Sequence, residues 1–419
     1  MRLRWIRLGP FQPGERPLRR SRKPIVNVLH VIPAVAERYG GPSRAVFGMC
    51  RALADIGVKA EIATTDADGE GRLAVPVGEP TEYRGVPVVF FRRQFSESLK
   101  YSRTLHLWLF GHVHRFDVVH IHAVYSHAPL AAAAAARFRG VPYIVRPLGS
   151  LSHWALRHKP FRKRIAWHLG AGRMLAGASA IHCTSAAEAR DLQTLGLTNK
   201  TLVIPLGVAA PDAQVASETE NELPACDGAR GQLYVLALGR IHPKKALDVL
   251  IRAFAQTVKK STKLDGWRLV IAGAGEPEYV SHLEQLAGSC QCADRVRFTG
   301  WISGAHRESA LRGAAVLAMP SHQENFGFAA FEAMARGVPV VVGAATDFAA
   351  EIVAADAGWA AEPDEQRFGA VLAEAMQHES ERVRRGAAGR RLVQQHFTWE
   401  HVARQMEAAY ARIVTDGRL

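Results

Sequence analysis

The sequence is poor in cysteine and has no long apolar run. Its five cysteines are scattered over 419 residues, and a sparse, odd set favours reduced thiols over a disulfide framework. No stretch approaches the ~18 apolar residues of a membrane-spanning helix, and Arg137 and Arg139 follow the alanine tract at 131–136. Residues 1–23 are basic but lack an apolar segment, which favours a flexible arm over a secretory signal. These absences predict a cytoplasmic protein, soluble or peripheral on the inner face of the cell membrane.

Acidic residues are scarce in the first half of the chain. Residues 1–207 hold 30 Lys and Arg against 13 Asp and Glu, a net charge of +17, whereas the remainder carries −3. Such a field suits nucleic acid, anionic lipid or a phosphorylated substrate. Because no helix-turn-helix, zinc-finger or aromatic RNA-binding signature accompanies it, we expect no nucleic-acid partner. His120 and His122 would share one side of a strand, but no further ligands are identifiable from spacing, so no metal site is expected.

Apolar, β-branched runs alternate with helical patterns from Ile25 onward. The predicted strands are 25–32, 58–64, 86–91, 118–121, 143–145, 181–184 and 202–204, and then 233–238, 268–272, 296–299, 315–319 and 338–342. Buried strands separated by helices indicate a parallel sheet covered on both faces. The pattern therefore predicts two Rossmann-like domains, 24–208 and 232–395, joined by a linker at 209–231. Residues 396–419, with Thr398 as a cap, predict a last helix that can pack back on the N-terminal domain.

Two glycine-containing turns are candidates for anion binding. Gly40 and Gly41 precede a helical pattern, so a phosphate could approach backbone N–H groups there, although a plain loop before a helix fits equally well. Arg240, Lys244 and Lys245 lie between a strand and the next helix. Cations at a helix N-terminus repel its partial positive charge, and a bound anion would resolve the conflict. The guanidinium fork and the ammonium group suit a diphosphate; the alternative is solvated charges on an exposed turn.

Two glutamates stand in the segment 320–342, which predicts strand, polar loop, helix and buried strand. Glu324 falls in the loop at the carboxyl end of a strand, where open α/β sheets bind ligands. Glu332 falls on the helix among small and apolar residues, so its carboxylate needs hydrogen-bond donors, and sugar hydroxyls are suitable. The alternatives are a helix cap for Glu324 and a buried pair with a basic side chain for Glu332.

This segment resembles the E-x7-E signature of retaining glycosyltransferases of family 4, with Glu324 and Glu332 as its two acids. Residues 239–254, GRIHPKKALDVLIRAF, resemble the diphosphate-binding turn of the same family, and Gly40-Gly41-Pro42 resembles its phosphate-closing loop. The likeness runs from about Ile25 to the C-terminus. It implies the GT-B fold, in which two Rossmann-like domains face each other across a cleft. RPLGSLSHWAL and Ala357-Gly358-Trp359 are typical of the subgroup that builds exopolysaccharide or lipopolysaccharide.

The resemblance implies retaining transfer of a hexose from a nucleoside diphosphate sugar to a glycan or lipid-linked acceptor, without metal or cofactor. Catalysis would rest on Glu324, Arg240 and Lys245, with Glu332 on the ribose. The implied donor site comprises Gly40, Gly41, Arg240, Lys245, Glu324, Asn325, Phe326, Gly327 and Glu332. The alternatives are a sugar-nucleotide epimerase or phosphorylase of the same fold, or a non-catalytic partner in a polysaccharide-assembly complex.

The sequence departs from the family pattern at three places. Leu148 stands where a histidine near the donor sugar is common, which bears on sugar selectivity. Lys245-Ala246 replaces the usual Lys-Gly, and Pro205-Leu206-Gly207 replaces Pro-Asn-Gly. Neither of the last two changes the expected backbone plan.

Residues 151–175 interleave three aromatic residues with basic ones, and Pro160 is expected to break the helix there. This composition suits a surface lying in an anionic lipid headgroup layer. The residues expected at the acceptor or membrane surface are Arg146, Trp154, Arg157 and Lys163. A solvated basic loop near an acidic acceptor is the alternative.

Overall fold

Two β-sheets organise the chain, which is described by a computed structural model for residues 26–157, 160–197, 201–210 and 232–416. The expected basic arm, 1–23, lies outside these residues, as does all of the expected linker except 209–210. Among the described residues, no helix combines the length and apolar character needed to cross a bilayer.

The first sheet has eight strands in the order β10-β9-β8-β7-β1-β2-β6-β5. Its strands are β1 (Asn27–Ala34), β2 (Lys59–Thr65), β5 (Pro80–Tyr83), β6 (Val86–Phe91), β7 (Val118–His122), β8 (Tyr143–Arg146), β9 (Ala180–Cys183) and β10 (Thr201–Val203), with a separate hairpin of β3 (Ala67–Asp68) and β4 (Gly71–Arg72). All neighbours in the eight-stranded sheet pair in parallel except β5 and β6. The strand order reverses between β1 and β7, so their carboxyl ends form a crevice.

Helices cover both faces of this sheet. They are α1 (Gly41–Asp55), α2 (Arg103–His112), α3 (His127–Arg139), α4 (His153–Arg157), α5 (Pro160–Ala166), α6 (Gly172–Ala176) and α7 (Ala186–Thr194), with a π-helical turn over Trp167–Ala171. Gly140 (φ 69°) follows α3 in the left-handed conformation that glycine adopts without strain, and it ends that helix. Pro160 begins α5, so the expected break falls between two helices.

The second sheet is parallel throughout, in the order β13-β12-β11-β14-β15-β16. Its strands are β11 (Tyr234–Leu238), β12 (Arg268–Ala272), β13 (Val296–Gly300), β14 (Val316–Met319), β15 (Val340–Gly343) and β16 (Gly358–Ala361). The accompanying helices are α8 (Leu247–Lys259), α9 (Pro277–Ser289), α10 (Gly304–Gly313), α11 (Phe328–Ala335), α12 (Ala349–Ala354), α13 (Glu365–Gln377) and α14 (Glu379–His396). Here the order reverses between β11 and β14.

The last helix, α15 (Trp399–Asp416), returns to the first sheet and packs on α1 and β7. The Trp399 indole packs against Gly48 of α1 and against Gly207. A Cβ added at Gly48 would lie 2.4 Å from the indole, and one added at Gly207 would lie 2.5 Å from it. The Val208 N–H donates to the Phe397 carbonyl (2.8 Å), which fixes the point where the chain returns to the first domain. The glycine at 207 therefore makes room for the indole, whereas Leu206 beside it is buried.

The parallel strands at the centre of both sheets confirm the expected pair of Rossmann-like units. The predicted strands are present within two residues of their expected ends, whereas β5, β16 and the short hairpin were not predicted. The β5 strand is exposed at its first and third residues and lies at an edge, so it lacks an apolar run. The β16 strand, Gly-Trp-Ala-Ala, has no β-branched residue.

Candidate active site

The carboxyl ends of β11 and β14 enclose a crevice at the switch point of the second sheet. Gly239, Arg240, Lys245, Pro320 and Ser321 line it. Arg240, Lys244 and Lys245 were expected at the first turn of a helix, and the structure places them before it. A 3-10 turn over Pro243–Lys245 comes first, and α8 begins at Leu247. Ala246 (φ 50°) takes the left-handed conformation at the junction, which explains why glycine suits this position.

Glu324 forms an ion pair with Lys245 across this crevice. Its loop is tied to the basic turn because His322 N–H donates to the Lys244 carbonyl (3.0 Å). Burial raises the pKa of Glu324, but the cations of Lys245, Lys244 and Arg240 outweigh burial and lower it below its usual value. The glutamate is therefore ionised at neutral pH. It does not cap α11, because that helix begins four residues later, after Gly327 (φ 73°).

Glu332 is 7 % exposed and is held by two arginines. Arg307 of α10 contacts Oε2, and Arg44 of α1 contacts Oε1 from the other domain. The buried ion pair that the sequence left open as an alternative is thus present. Both donors were missed by sequence reasoning, although Arg44 stands one turn beyond the Gly40-Gly41 signal.

Asn325 belongs to a hydrogen-bonded group with members from both domains. The Asn325 amide donates to Asp347 Oδ2 (3.1 Å), and Ser185 of the first domain donates to the same oxygen (2.9 Å). Burial, reinforced by the nearby Glu188 carboxylate, raises the pKa of Asp347 to about 6. Sequence reasoning missed Asp347, although it follows β15 at the carboxyl edge, where ligand-binding residues collect.

Phe326 was expected to bind the donor, and the structure places its side chain elsewhere. It is 6 % exposed and stacks on Phe331 with ring centroids 4.4 Å apart, within a cluster that includes Phe348 and Phe397. Its aromatic ring therefore packs beneath the loop that joins β14 to α11 and does not face the crevice.

Gly40 and Gly41 bring the first domain to this site. Gly40 (φ 73°) precedes α1, and an added Cβ at Gly41 would lie 3.2 Å from the Phe328 ring at the start of α11. The Gly40 N–H donates to the Glu37 carbonyl (2.8 Å). The N-terminus of α1 from Gly41 onward thus faces the start of α11, and its partial positive charge suits a phosphate.

Comparisons with known proteins agree with this geometry. A family model described as "Glycosyl transferases group 1" matches residues 225–392, and one described as "Glycosyl transferase 4-like domain" matches residues 40–207. The chain is 29 % identical over 394 residues to a D-inositol 3-phosphate glycosyltransferase of Stackebrandtia nassauensis, covering 88 % of this chain and 86 % of that one.

Solved structures show the same fold. Sucrose-phosphate synthase of Thermosynechococcus elongatus superposes with a TM-score of 0.72 at 21 % identity, covering 93 % of this chain and all of that one (100 %). Anabaena HepE in complex with UDP and glucose gives 0.70 at 19 % identity, covering 91 % and 98 %. The chain is a glycosyltransferase, with a group 1 domain at 225–392 and a 4-like domain at 40–207. Its two domains face each other across a cleft, which is the GT-B fold.

One of the residues expected at the acceptor or membrane surface is buried in this glycosyltransferase. Arg146 is 1 % exposed and lies beneath the cleft, where burial lowers its pKa to about 10 and the Glu188 carboxylate opposes that shift. It is therefore not a surface residue. A side chain at the last position of β8 could not be assigned to a face from the sequence, because strands of a covered parallel sheet are buried on both sides.

Two of the other residues expected at the acceptor or membrane surface differ in exposure. Arg157 is exposed, whereas Lys163 is partly buried, donates to the Ala155 carbonyl and lies 5.5 Å from the centroid of the Tyr125 ring. The Trp154 side chain lies outside the described residues.

Leu148 (φ 61°) takes a left-handed backbone conformation, and an added Cβ at Gly149 beside it would lie 3.1 Å from Asn325.

A cluster of four buried histidines lies beneath the cleft of the glycosyltransferase. His30 Nδ1 contacts His122 Nε2 (3.0 Å), His120 Nδ1 contacts the Tyr410 hydroxyl (2.8 Å), and His182 Nε2 contacts the Ile204 carbonyl (2.8 Å). Sequence reasoning paired His120 with His122 but missed His30 and His182, which come from other strands of the sheet.

Ring nitrogens of His30, His120 and His122 lie within 4.8 Å of one another, a spacing that one metal ion could bridge. The buried Arg146 guanidinium beside them opposes a second positive charge. Burial and Arg146 lower the pKa of His30 to about 3, so the ring is neutral at physiological pH.

Proposed function

We propose that this glycosyltransferase moves a hexose from a nucleoside diphosphate sugar to a hydroxyl of a glycan or lipid-linked acceptor, with retention, in cell-surface polysaccharide synthesis. One observation carries the proposal: Arg240, Lys245 and Glu324 converge on the β11–β14 crevice, opposite the N-terminus of α1. Cations for a diphosphate and an ionised acid for sugar hydroxyls thus stand side by side. The UDP bound by Anabaena HepE supports a nucleotide-linked donor.

The reaction requires stabilisation of a leaving diphosphate. The bond between the anomeric carbon and the phosphate oxygen breaks, and the electron pair stays with the diphosphate. Arg240, Lys245 and the N-terminus of α1 at Gly41 stabilise that charge, each well-placed donor contributing roughly 3–4 kcal/mol to the transition state. Protein cations take the role that a divalent metal has in other transferases, so the proposed reaction uses no metal or cofactor.

The acceptor oxygen then bonds to the anomeric carbon from the face that the diphosphate leaves, and its proton passes to the departing phosphate. No protein carboxylate needs to act as a nucleophile in this sequence. Glu324 orients the sugar hydroxyls, and Glu332 accepts hydrogen bonds from the nucleotide ribose. Asn325 and Gly327 complete the sugar side, with Phe326 packed beneath them.

The acceptor side has the composition of a membrane-contacting surface. Residues 118–187 contain nine Lys and Arg and no Asp or Glu. Phe161, Ile165 and Leu169, spaced one helical turn apart, are 74, 43 and 77 % exposed, and they form a groove with Arg164 and His168. Apolar side chains flanked by cations suit the headgroup layer of an anionic membrane. Peripheral attachment to the inner face of the cell membrane, next to a lipid-linked acceptor, is therefore part of the proposal.

The products distinguish this function from the alternatives. Purified protein is incubated with a panel of nucleoside diphosphate hexoses and a cell lipid extract, and the products are followed by mass spectrometry. A transferase adds a hexose mass to one extract component and releases the nucleoside diphosphate, and Glu324→Gln should reduce both. An epimerase instead isomerises the sugar nucleotide, a phosphorylase requires added phosphate, and a non-catalytic partner gives no product. Any of these three results would contradict the proposal.

A further inference from the structure

One ion pair joins the two domains directly beside the donor site. Arg44, in the first turn of α1, contacts Glu332 of α11. The Arg44 guanidinium also lies 5.4 Å from the centroid of the Phe328 ring, one helical turn before Glu332. Gly41, on the same turn as Arg44, packs against that ring as well. The start of α1 and one face of α11 thus form a continuous interdomain contact.

The two oxygens of Glu332 are held from opposite sides of the cleft. Arg307 of the second domain contacts Oε2, and Arg44 of the first domain contacts Oε1. Each carboxylate oxygen can accept more than one hydrogen bond, so both can still receive ribose hydroxyls. Arg307 alone fixes one oxygen, whereas the plane of the carboxylate is set only when both arginines are in contact. Its orientation toward the ribose therefore depends on domain closure.

Exposure separates the two arginines. The Arg44 side chain is 42 % exposed, whereas the Arg307 side chain is 21 % exposed and the Glu332 side chain 9 %. Solvent screens the pair from the Arg44 side, so by itself it holds the domains together only weakly. A nucleotide that covers Arg44 would exclude water and strengthen the pair, because electrostatic attraction increases as the local dielectric falls. Donor binding and domain closure would then favour each other.

From these contacts we infer that Arg44 is a positioning residue, which reaches across the cleft to orient Glu332 for the nucleotide ribose and so couples donor binding to closure. This role rests on the proposed function, in which Glu332 binds the ribose. It assigns to the first domain a share in recognition of the nucleoside, beyond its contact with the phosphates.

The test compares two arginines of one helix. Arg44→Met removes the interdomain pair, and Arg51→Met is the matched control, because Arg51 is exposed on α1 two turns further along. UDP, GDP and ADP are titrated calorimetrically into each protein, and the tightest ligand is used. We expect Arg44→Met to weaken binding about tenfold, Arg51→Met to leave it unchanged, and Arg44→Lys to fall between.

A double-mutant cycle shows whether Arg44 acts through Glu332. In a Glu332→Gln background, Arg44→Met should weaken nucleotide binding less than twofold. Small-angle scattering should show that nucleotide compacts the wild type and the Arg51→Met variant but not the Arg44→Met variant. The kinetic loss in Arg44→Met should fall on the donor KM more than on kcat.

Several results would overturn this role. Equal losses from Arg44→Met in both backgrounds would mean that it acts independently of Glu332, and tighter nucleotide binding would make Arg44 a competitor of the ribose. Unchanged binding in Arg44→Met, with Glu332→Gln impaired, would remove the inference and leave the proposed function intact. If no nucleotide binds the wild type, both fail together.

Discussion

Lys245 donates to Glu324 across 79 residues of sequence, so the cation expected on the diphosphate and the acid expected on the sugar meet in one ion pair. Each neutralises the other in a site where both are partly buried. A donor molecule has groups for both partners, phosphate oxygens for the ammonium group and hydroxyls for the carboxylate. The pair therefore holds the two side chains in position before the substrate binds.

Loss of either crevice cation should impair donor use strongly. We expect Lys245→Ala and Arg240→Ala each to lower kcat/KM by on the order of a hundredfold, because each removes a contact to the leaving diphosphate. Arg252→Ala, an exposed change on α8, is the control. Steady-state kinetics with circular dichroism measures both activity and folding. Full turnover in both folded variants would show that the anion site lies elsewhere.

Sequence reasoning succeeded where the signal is local and failed where it depends on tertiary contacts. The β11 and β14 strands, the basic turn and the E-x7-E loop follow from periodicity and turn chemistry within about ten residues. The contact of Arg44 with Glu332 spans 288 residues and two domains, so no local pattern encodes it. Arg146 was expected at the acceptor or membrane surface, whereas its strand is covered on both faces and its side chain is buried.

The exposed apolar residues of α5 and the following turn should contribute to lipid binding. We expect the double variant Phe161→Ser and Leu169→Ser to float with anionic vesicles several-fold less well than the wild type, because each lost apolar side chain removes on the order of 2 kcal/mol of burial. Val383→Ser, which is 67 % exposed in the wild type and lies on α14 of the other domain, is the control. Equal wild-type recovery with neutral and anionic vesicles at low salt would exclude electrostatic docking.

Two helical glycines give a matched test of the α15 packing. An added Cβ at Gly48 would lie 2.4 Å from Trp399 Cε2, whereas at Gly111 of α2 it would meet nothing within 4 Å. Gly48→Ala should therefore lower the free energy of unfolding by about 1–3 kcal/mol through overpacking. Gly111→Ala should raise it by up to about 1 kcal/mol through helix propensity. Thermal unfolding measures both, and equal shifts in the two variants would argue against the packing of Trp399 on α1.

The histidine cluster should make the enzyme sensitive to acid. Burial first, and then the Arg146 cation, lower the pKa of His30 and His182 to about 3, and burial also lowers those of His120 and His122 well below 6.5. The unfolded chain binds these protons below about pH 6.5, whereas the folded chain binds them only at lower pH, at about pH 3 for His30 and His182. Stability is therefore present above pH 6.5 and falls as the pH decreases, by up to about 1.4 kcal/mol per pH unit for each histidine.

Asp347 acts in the opposite sense, because its raised pKa of about 6 lets the folded chain take up a proton first. One such group offsets only one of the four histidines. Urea unfolding at pH 7.5 and pH 5.5 should show lower stability at the acidic pH, with a smaller difference in His182→Gln. A free energy of unfolding that is constant over this range would contradict the assigned neutral state of the cluster.

Substitution of the two acids of the E-x7-E segment should reduce activity in different ways, although both acids are ion-paired. Glu324 stands in the β14 loop, where it is expected to contact the transferred sugar, whose geometry changes as the anomeric bond breaks. Glu324→Gln keeps the shape but removes the charge, so the loss should fall mainly on kcat. Glu332 is expected to hold the ribose, which does not react. Glu332→Gln should raise the donor KM more than it lowers kcat, by roughly 1–2 kcal/mol for a weakened charged hydrogen bond.

Single-turnover rates make this comparison sharp, because they report chemistry even where product release limits steady-state turnover. The ion pairs add a second distinction between the acids. Glu324→Gln leaves Lys245 free to hold the diphosphate, so nucleoside diphosphate binding without the sugar should be nearly unchanged. Glu332→Gln should weaken that binding, because ribose is part of the nucleotide itself. Identical losses in both variants, for the nucleotide and for the sugar donor, would show that the two acids do not divide sugar and ribose between them.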